Sequence, residues 1–282
     1  MKTSLLVATI FLGATLLLSA QEVRRAMPAQ SAAPDDVAKF LAGVPLPPAS
    51  PLSAMQKSPD YSGHVANLAR LSQRYDKTYF AKMRAWSAAE LASRIPMNLP
   101  VYYFFAGPDA VSALALYPDA PVYLLGGLES VGSIPAPNTL APQAVAEGLE
   151  NLRKSAEVVL SYGHFITKDM KAELDRTVFR GVLPLIYMFI TLTGGEILSA
   201  RYVGVAGNGT LQEYGNSYSG SRGVLPGVRI DFRREGRAGI QTIYYVQANV
   251  ADDALKSNPA ILAWAGRFGA GNVYLKAASY LL

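Results

Sequence analysis

Two acidic residues, Asp109 and Glu129, each follow an apolar run that predicts a β-strand. The runs cover residues 101–105 and 122–125, and a turn that contains Gly107 comes directly after the first run. In an open α/β sheet, ligands bind outside the carboxyl ends of the parallel strands. We therefore expect Gly107, Asp109 and Glu129 to border one ligand site, with both carboxylates facing the same crevice.

A facing pair of carboxylates supports several kinds of chemistry. It can bind a divalent ion through hard oxygen ligands, hold sugar hydroxyls, or divide general acid and base roles between two groups of different pKa. Each residue also has a structural explanation. Asp109 is suited to capping a helix predicted over residues 110–117, and Glu129 to a solvated glycine-rich turn. The pattern leaves these alternatives open, identifies no metal and leaves the cofactor unknown.

A second candidate ligand site is the loop over residues 214–223, which is rich in glycine and serine. It contains Tyr218 and Arg222, whose aromatic ring and guanidinium group could together hold a sugar. A mobile connection between two strands explains the same composition, because loops of this kind join most neighbouring strands.

The common catalytic signatures are absent from the sequence. It has no G-x-S-x-G, P-loop, H-E-x-x-H or S-x-x-K motif, which removes the usual signs of serine hydrolysis, nucleotide binding, zinc proteolysis and penicillin recognition. Two histidines cannot form a three-histidine zinc site, and the lack of cysteine excludes thiol catalysis. The turn at Gly107 also lacks the glycine spacing of a dinucleotide-binding loop.

The N-terminus has the order of a secretory signal peptide. Lys2 precedes an apolar segment over residues 5–18, and the small residues Ser19 and Ala20 suit cleavage before Gln21. An uncleaved anchor is the alternative, but the segment of about 14 residues is shorter than the roughly 20 that cross a bilayer. We expect residues 1–20 to be removed and the mature protein to be periplasmic or secreted, with no membrane span.

Composition predicts a packed globular protein without disulfides. Hydrophobic residues make up 50% of the chain and charged residues 17%, and there is no cysteine. The net charge of +5 includes no block of consecutive basic residues, which argues against nucleic acid as a partner. The nearest approach to a basic cluster, Arg229, Arg233, Arg234 and Arg237, is interpreted as a solvated strand face because Asp231 and Glu235 lie within it.

The first part of the chain predicts a tail and then helices. Residues 21–59 are rich in proline and alanine and show no sustained period, which indicates a tail or linker. Residues 64–86 carry an aromatic stripe at helical spacing. This stripe indicates either a core-facing surface, which we favour, or a binding surface. Ser87 and Glu90 match a capping box, so we expect a second short helix to start there.

The rest of the chain predicts an α/β domain over residues 60–282. The two strands that precede Asp109 and Glu129 flank a helix and therefore form a parallel βαβ unit. Further helices are expected over residues 141–162, 168–178 and 182–193. Antiparallel hairpins follow; the first turns at Asn208-Gly209 as a type I′ turn, and the second pairs residues 228–233 with 240–246. The fold class is α/β, with a mixed sheet and helices packed on it.

Three segments give the sequence a resemblance to a known group. They are Phe105-Ala106-Gly107-Pro108-Asp109, the triplet Gly127-Leu128-Glu129, and Lys276-Ala277-Ala278-Ser279-Tyr280-Leu281. This chain resembles a group of exported bacterial proteins of unassigned activity that share F-x-G-P-D, G-L-E and K-A-A-S-Y-L segments. The resemblance covers roughly residues 60–282 and implies a fold and export, but no reaction. Members of the group continue beyond the last segment, so the resemblance raises the expectation of a shortened member.

Two functions from different classes remain open on the sequence. The first is an exported soluble protein that binds a polar small molecule or an envelope partner. The second is a carboxylate-based hydrolase of an envelope or extracellular substrate, with or without the assistance of a metal ion. No nucleophile and base are visibly paired in the sequence, which favours binding slightly and leaves enzymatic activity undecided.

Overall fold

The computed structural model describes residues 31–162, 178–269 and 273–274. Residues Ala32–Leu282 form one compact unit of mixed α/β structure, which confirms the predicted fold class. The predicted signal peptide, most of the helix expected over residues 168–178, and the K-A-A-S-Y-L segment lie outside the described residues. Among the described residues, no helix is long and apolar enough to cross a membrane.

The helices fall before, within and after the sheet. They are α1 (Pro34–Leu41), α2 (Pro59–Tyr75), α3 (Ala81–Trp86), α4 (Ala110–Leu116), α5 (Pro142–Tyr162), α6 (Leu183–Leu192), α7 (Asp252–Ser257) and α8 (Ala260–Ala265). Two π-helical turns, Asp76–Phe80 and Ser87–Leu91, follow α2 and α3 without a break in the helical path. Each π turn inserts an extra residue and so changes which side chains face the protein.

The sheet has six strands and a two-residue seventh. The strands are β1 (Val101–Tyr103), β2 (Val122–Gly127), β3 (Gly195–Val205), β4 (Leu211–Gly215), β5 (Leu225–Arg234), β6 (Gln241–Gln247) and β7 (Val273–Tyr274). Their order across the sheet is β4-β3-β5-β6-β2-β1-β7. β1 and β2 are parallel around α4, and β3–β4 and β5–β6 are antiparallel pairs, so the predicted βαβ unit and hairpins are present.

Each face of the sheet carries its own apolar cluster. One face presents alternate residues of the central strands, including Tyr123, Phe232 and Tyr245, to a core shared with α1, α4 and α6. The opposite face packs a smaller cluster around Trp264 of α8. α6, which lies within the segment where a helix was expected over residues 182–193, is buried from Leu183 to Ile190, and a helix surrounded by other elements must be apolar on all sides.

The interpretation of residues 21–59 as a tail or linker is wrong for the part that the structure describes. Residues 34–41 form α1, and Val37, Phe40 and Leu41 are buried in the main core. The Phe40 ring stacks on Tyr61 of α2 at a centroid distance of 4.7 Å. The sequence did not predict this helix for two reasons. The prolines of the stretch are typical of irregular structure, and a helix of eight residues with apolar side chains only on its core-facing side is too short to show a sustained period.

Two further local expectations also fail. Ser87 does not start a new helix: it lies within a π turn and donates its hydroxyl to the Leu116 carbonyl oxygen. The hairpin between β3 and β4 is not closed by a type I′ turn, since Asn208 does not have the positive φ that such a turn requires. Instead the Gly209 N–H bonds to the Ala206 oxygen, and Gly209 alone has a positive φ, of 77°.

Candidate functional site

Asp109 is a buried helix cap at the carboxyl end of β1. The residue is only 6% exposed to solvent. Oδ1 accepts a hydrogen bond from the Ser112 backbone N–H at 3.2 Å, and Oδ2 accepts one from the Tyr103 hydroxyl at 2.8 Å. Both oxygens are therefore engaged inside the protein, and α4 begins where the sequence predicted.

The environment of Asp109 favours the uncharged, protonated form of its carboxyl group. Burial raises the pKa of this carboxyl to about 6, because water no longer solvates the charged form. The hydrogen bonds from Ser112 and Tyr103 act in the opposite direction and only partly offset burial. The result is an acid that titrates near neutral pH at a strand end, an unusual property for a helix cap.

Glu129 folds back over the end of β2, where Gly127 leaves room for it. A β-carbon added at Gly127 would fall 2.5 Å from Glu129 Oε2, 2.8 Å from the Tyr245 hydroxyl and 2.9 Å from the Gly107 Cα. Glu129 itself is 3% exposed, and its carbonyl oxygen accepts the Tyr245 hydroxyl at 2.8 Å. The structure thus brings Glu129 and Gly107 together as closely packed groups.

Asp109 and Glu129 are both buried, and neither of them lines the cavities described below, whose walls consist of described residues. Within the described part of the chain, no group of three metal-ligating acids or histidines comes together. At this edge the Asp109 carboxylate accepts hydrogen bonds from Tyr103 and Ser112, and the Glu129 backbone accepts one from Tyr245.

Tyr218 and Arg222 lie elsewhere, in the connection from β4 to β5. The Tyr218 ring makes edge contacts with Tyr214 and Tyr202, at centroid distances of 5.1 and 6.4 Å. Its hydroxyl donates to the Val224 carbonyl oxygen at 3.3 Å, while Arg222 is exposed. Four strands separate β4 from β1 in the sheet, so this loop and the strand-end acids are different places.

A cavity of about 650 Å³ lies beside α4, and the sequence analysis did not predict it. Its walls come from α2, the first π turn, α3, α4, α5, α6 and the end of β5. The lining side chains include Asp76, Phe80, Arg84, Val111, Leu114, Ala115, Leu160, Phe189, Leu192, Arg234 and Arg237. Polar residues, among them Ser72, Gln73, Thr193 and Glu235, share the lining with these apolar side chains, and the charged Arg234, Glu235 and Arg237 lie where β5 ends. We call this space the Arg234 cavity.

Arg234 is a buried cation that the described residues do not neutralise. The residue is 8% exposed, and no described carboxylate forms an ion pair with it, whereas its neighbour Arg233 pairs with Glu196 at 2.8 Å. Its Nη1 donates to the Leu114 carbonyl oxygen at 3.3 Å, and Nη2 donates to Thr193 Oγ1 at 3.3 Å. The buried Nε–H has no hydrogen-bond partner among the residues that the structure describes.

The protein surrounds the Arg234 guanidinium with partial negative charges. Leu114 and Thr193 lie at the carboxyl ends of α4 and α6, where helix dipoles place partial negative charge. Burial nevertheless lowers the pKa of Arg234, because partial charges replace the solvation of water only in part.

The basic cluster seen in the sequence therefore divides into paired and unpaired groups. Arg229 bonds to Asp231 at 3.0 Å, and Arg237 pairs with Asp119. Of these four arginines, Arg234 is the one for which the interpretation as a solvated strand face is wrong, because it is buried. A signal for this was present: the alternation that buries Val228, Ile230 and Phe232 on one face continues to position 234.

Comparisons of this chain with protein-family models, with curated proteins and with solved structures found no match.

Proposed function

We propose that this protein is a non-catalytic, exported binding protein, and that its ligand is a small molecule with one anionic group and an apolar body. The ligand would occupy the Arg234 cavity. The observation that carries the proposal is the buried Arg234 guanidinium, for which the described residues supply only neutral acceptors and no carboxylate. An anion at this position would form charge-assisted hydrogen bonds, which are about twice as strong as neutral ones.

The remaining walls support the apolar half of the ligand. Val111, Leu114 and Phe189 are buried side chains that line the cavity, so a hydrocarbon or aromatic group would be removed from water there. The volume of about 650 Å³ lies in the range of ordinary small-molecule sites. Arg84 and Arg237 pair with Asp76 and Asp119, whereas no described acid pairs with Arg234, so the apolar side chains and this cation together favour an amphipathic acid.

The helical wall of the cavity contains an irregularity that favours a binding role. The π turn Asp76–Phe80 contributes Asp76 and Phe80 to the lining. π turns inside helices occur frequently at functional sites, because the extra residue re-aims neighbouring side chains. At the same wall Arg84 pairs with Asp76 at 2.7 Å, so this second cation is already neutralised and Arg234 remains the anchor.

The carboxylate-based hydrolase is the weaker candidate. Asp109 has a pKa near neutrality, as a general acid or base needs, but both of its oxygens accept hydrogen bonds from within the protein. The periplasmic or secreted location belongs to the same proposal as ligand binding. It rests on the order of Lys2, the apolar residues 5–18 and Ser19-Ala20.

Calorimetric titration with decanoate and with decanol tests the proposal. The two probes share a hydrocarbon chain and differ in charge, so we expect decanoate to bind more tightly by at least about tenfold. Arg234→Met should remove this preference and leave decanol binding nearly unchanged. The matched control is Arg233→Met, which removes the neighbouring exposed cation and should keep the preference.

A second variant keeps the proposal testable if Arg234→Met does not fold. Ala115 lines the cavity and carries no charge, so Ala115→Met should weaken both probes by filling space. The proposal is overturned if decanoate fails to bind the parent chain, or if Arg234→Met and Arg233→Met bind decanoate equally well.

A further inference from the structure

The helical segment from α2 to the second π turn carries most of the excess positive charge of the chain. Residues 70–94 contain six basic and two acidic side chains, a surplus of four, whereas the whole chain has a net charge of +5. The basic residues are Arg70, Arg74, Lys77, Lys82, Arg84 and Arg94. This surplus of positive charge lies in one helical segment of the fold, although the sequence shows no consecutive basic block.

Part of this positive surface has no partner within the protein. Arg74, Arg84 and Arg94 pair with Glu157, Asp76 and Glu90 respectively. Lys77 and Lys82 are exposed, and neither forms an ion pair with any described residue. These two ammonium groups are free to contact an external anion.

Two large aromatic side chains project from the same segment. Tyr79 is 41% exposed and Trp86 is 37% exposed, so the predicted core-facing stripe holds for Leu68, Leu71, Tyr75 and Met83 but fails for these two. Trp86 lies one helical turn after Lys82 on α3, and the pair therefore shares a helix face. Tyr79 stacks on Tyr75 with a centroid distance of 5.8 Å, which holds its ring in place.

We propose that the face formed by Lys77, Tyr79, Lys82 and Trp86, the lysine–aromatic face, docks on an anionic phospholipid membrane. Tyrosine and tryptophan have an apolar ring with a polar edge and accumulate at membrane interfaces, while lysine is attracted to acidic headgroups. A nucleic acid partner would explain the positive charge of this face but not its exposed aromatic rings. The exposed rings favour a surface into which an apolar group can insert.

Tryptophan fluorescence with vesicles tests the docking directly. The chain has two tryptophans, and Trp264 is 1% exposed, packed between Tyr244 and Phe268. A blue shift of the emission, and its quenching by brominated lipid, will therefore report Trp86. We expect both with vesicles that contain phosphatidylglycerol, little change with phosphatidylcholine alone, and loss of the signal at high salt.

Matched charge variants distinguish this face from general electrostatic attraction. Lys77→Gln with Lys82→Gln should weaken vesicle binding roughly 25-fold, because each lysine near an anionic surface contributes about fivefold. Lys57→Gln with Lys256→Gln removes the same charge from exposed positions elsewhere and should bind nearly as the parent does. Because all variants share the same N-terminus, any contribution of the leader cancels in the comparison.

A second pair of variants tests the aromatic part. Trp86→Ala should weaken binding by about tenfold, measured by vesicle flotation, whereas Ile240→Ala, at a more exposed apolar position, should not. Equal binding by the two double-lysine variants would overturn the proposal. Tighter binding to a DNA duplex than to anionic vesicles would also overturn it and would identify a different polyanion as the partner.

Discussion

The Tyr103 hydroxyl donates a hydrogen bond of 2.8 Å to Asp109 Oδ2, and both residues are buried at the end of β1. The pKa of this carboxyl is about 6 in the folded protein, above its ordinary value of 3.8. Between these values the folded state binds more protons than the unfolded state, so the free energy of unfolding falls as pH rises from about 4 to about 6.

Asp109→Asn should remove this pH dependence. Asparagine caps helices as well as aspartate does and carries no charge to bury. We expect the variant to match the parent below pH about 4 and to be more stable at neutral pH, by up to about 3 kcal/mol. Urea unfolding across this pH range measures the difference. A variant that is less stable than the parent at neutral pH would show that the aspartate charge supports the fold.

Asp231→Asn is the contrasting variant for that experiment. Burial raises the pKa of Asp231, but hydrogen bonds from Thr242, Arg229 and Ser199 outweigh it and lower the pKa overall. The folded state therefore favours the charged form, and its stabilisation is lost as pH falls through the folded pKa. We expect Asp231→Asn to destabilise the protein at neutral pH, opposite in sign to Asp109→Asn.

Gly127 is required by the packing of Glu129 against the strand ends. An added β-carbon would meet Glu129 Oε2, the Tyr245 hydroxyl and the Gly107 Cα, all within 2.9 Å. Gly127→Ala should therefore destabilise the protein by about 1–3 kcal/mol in chemical unfolding. The control is Gly63→Ala, inside α2 with open space around it, which should stabilise by about 0.5–1 kcal/mol. Similar effects at both positions would contradict this account.

The contribution of α1 to the core is open to a direct test. Phe40 is buried, and its carbonyl oxygen accepts the Tyr61 hydroxyl at 3.0 Å. Phe40→Ala should lower the free energy of unfolding by about 3–5 kcal/mol, because it leaves a cavity between α1 and α2. Lys57→Ala, an exposed change in the same N-terminal region, should stay within about 0.5 kcal/mol of the parent. Parent-like stability of Phe40→Ala would restore the interpretation of this region as a tail.

His64 should make the folded protein sensitive to mild acid. Its Nε2 lies 3.0 Å from the Leu41 carbonyl oxygen, which only accepts, so Nε2 carries the proton of the neutral ring. Burial lowers the pKa of His64 below 6.5, and the folded state binds fewer protons than the unfolded state. Stability due to this residue is therefore lost as pH falls below about 6.5.

His64→Gln should remove that loss, as seen by urea unfolding on either side of pH about 6.5. Decanoate affinity should not change, because His64 lines a separate groove between α2 and α5. A large loss of affinity in the folded variant would instead link this histidine to the ligand site.

Local chemistry determined much of what the sequence could predict. The apolar runs before Gly107 and Gly127 predicted β1 and β2, because a buried parallel strand must be apolar on both faces. The capping role of Asp109 was also visible, since an aspartate before an apolar helix has an N–H within reach three residues later. These features depend only on neighbours in the chain.

The tertiary structure decided the burial of individual groups. Arg234 lies in a run with three other arginines, and only its place at the end of β5 against α4 and α6 separates it from their ion pairs. Phe40 belongs to a proline-rich stretch and enters the core because Tyr61, distant in sequence, stacks on it. The alternation along β5 places Arg234 on the buried face, but it does not show whether an acid from another element pairs with it, because solvation and pairing depend on groups that approach through space.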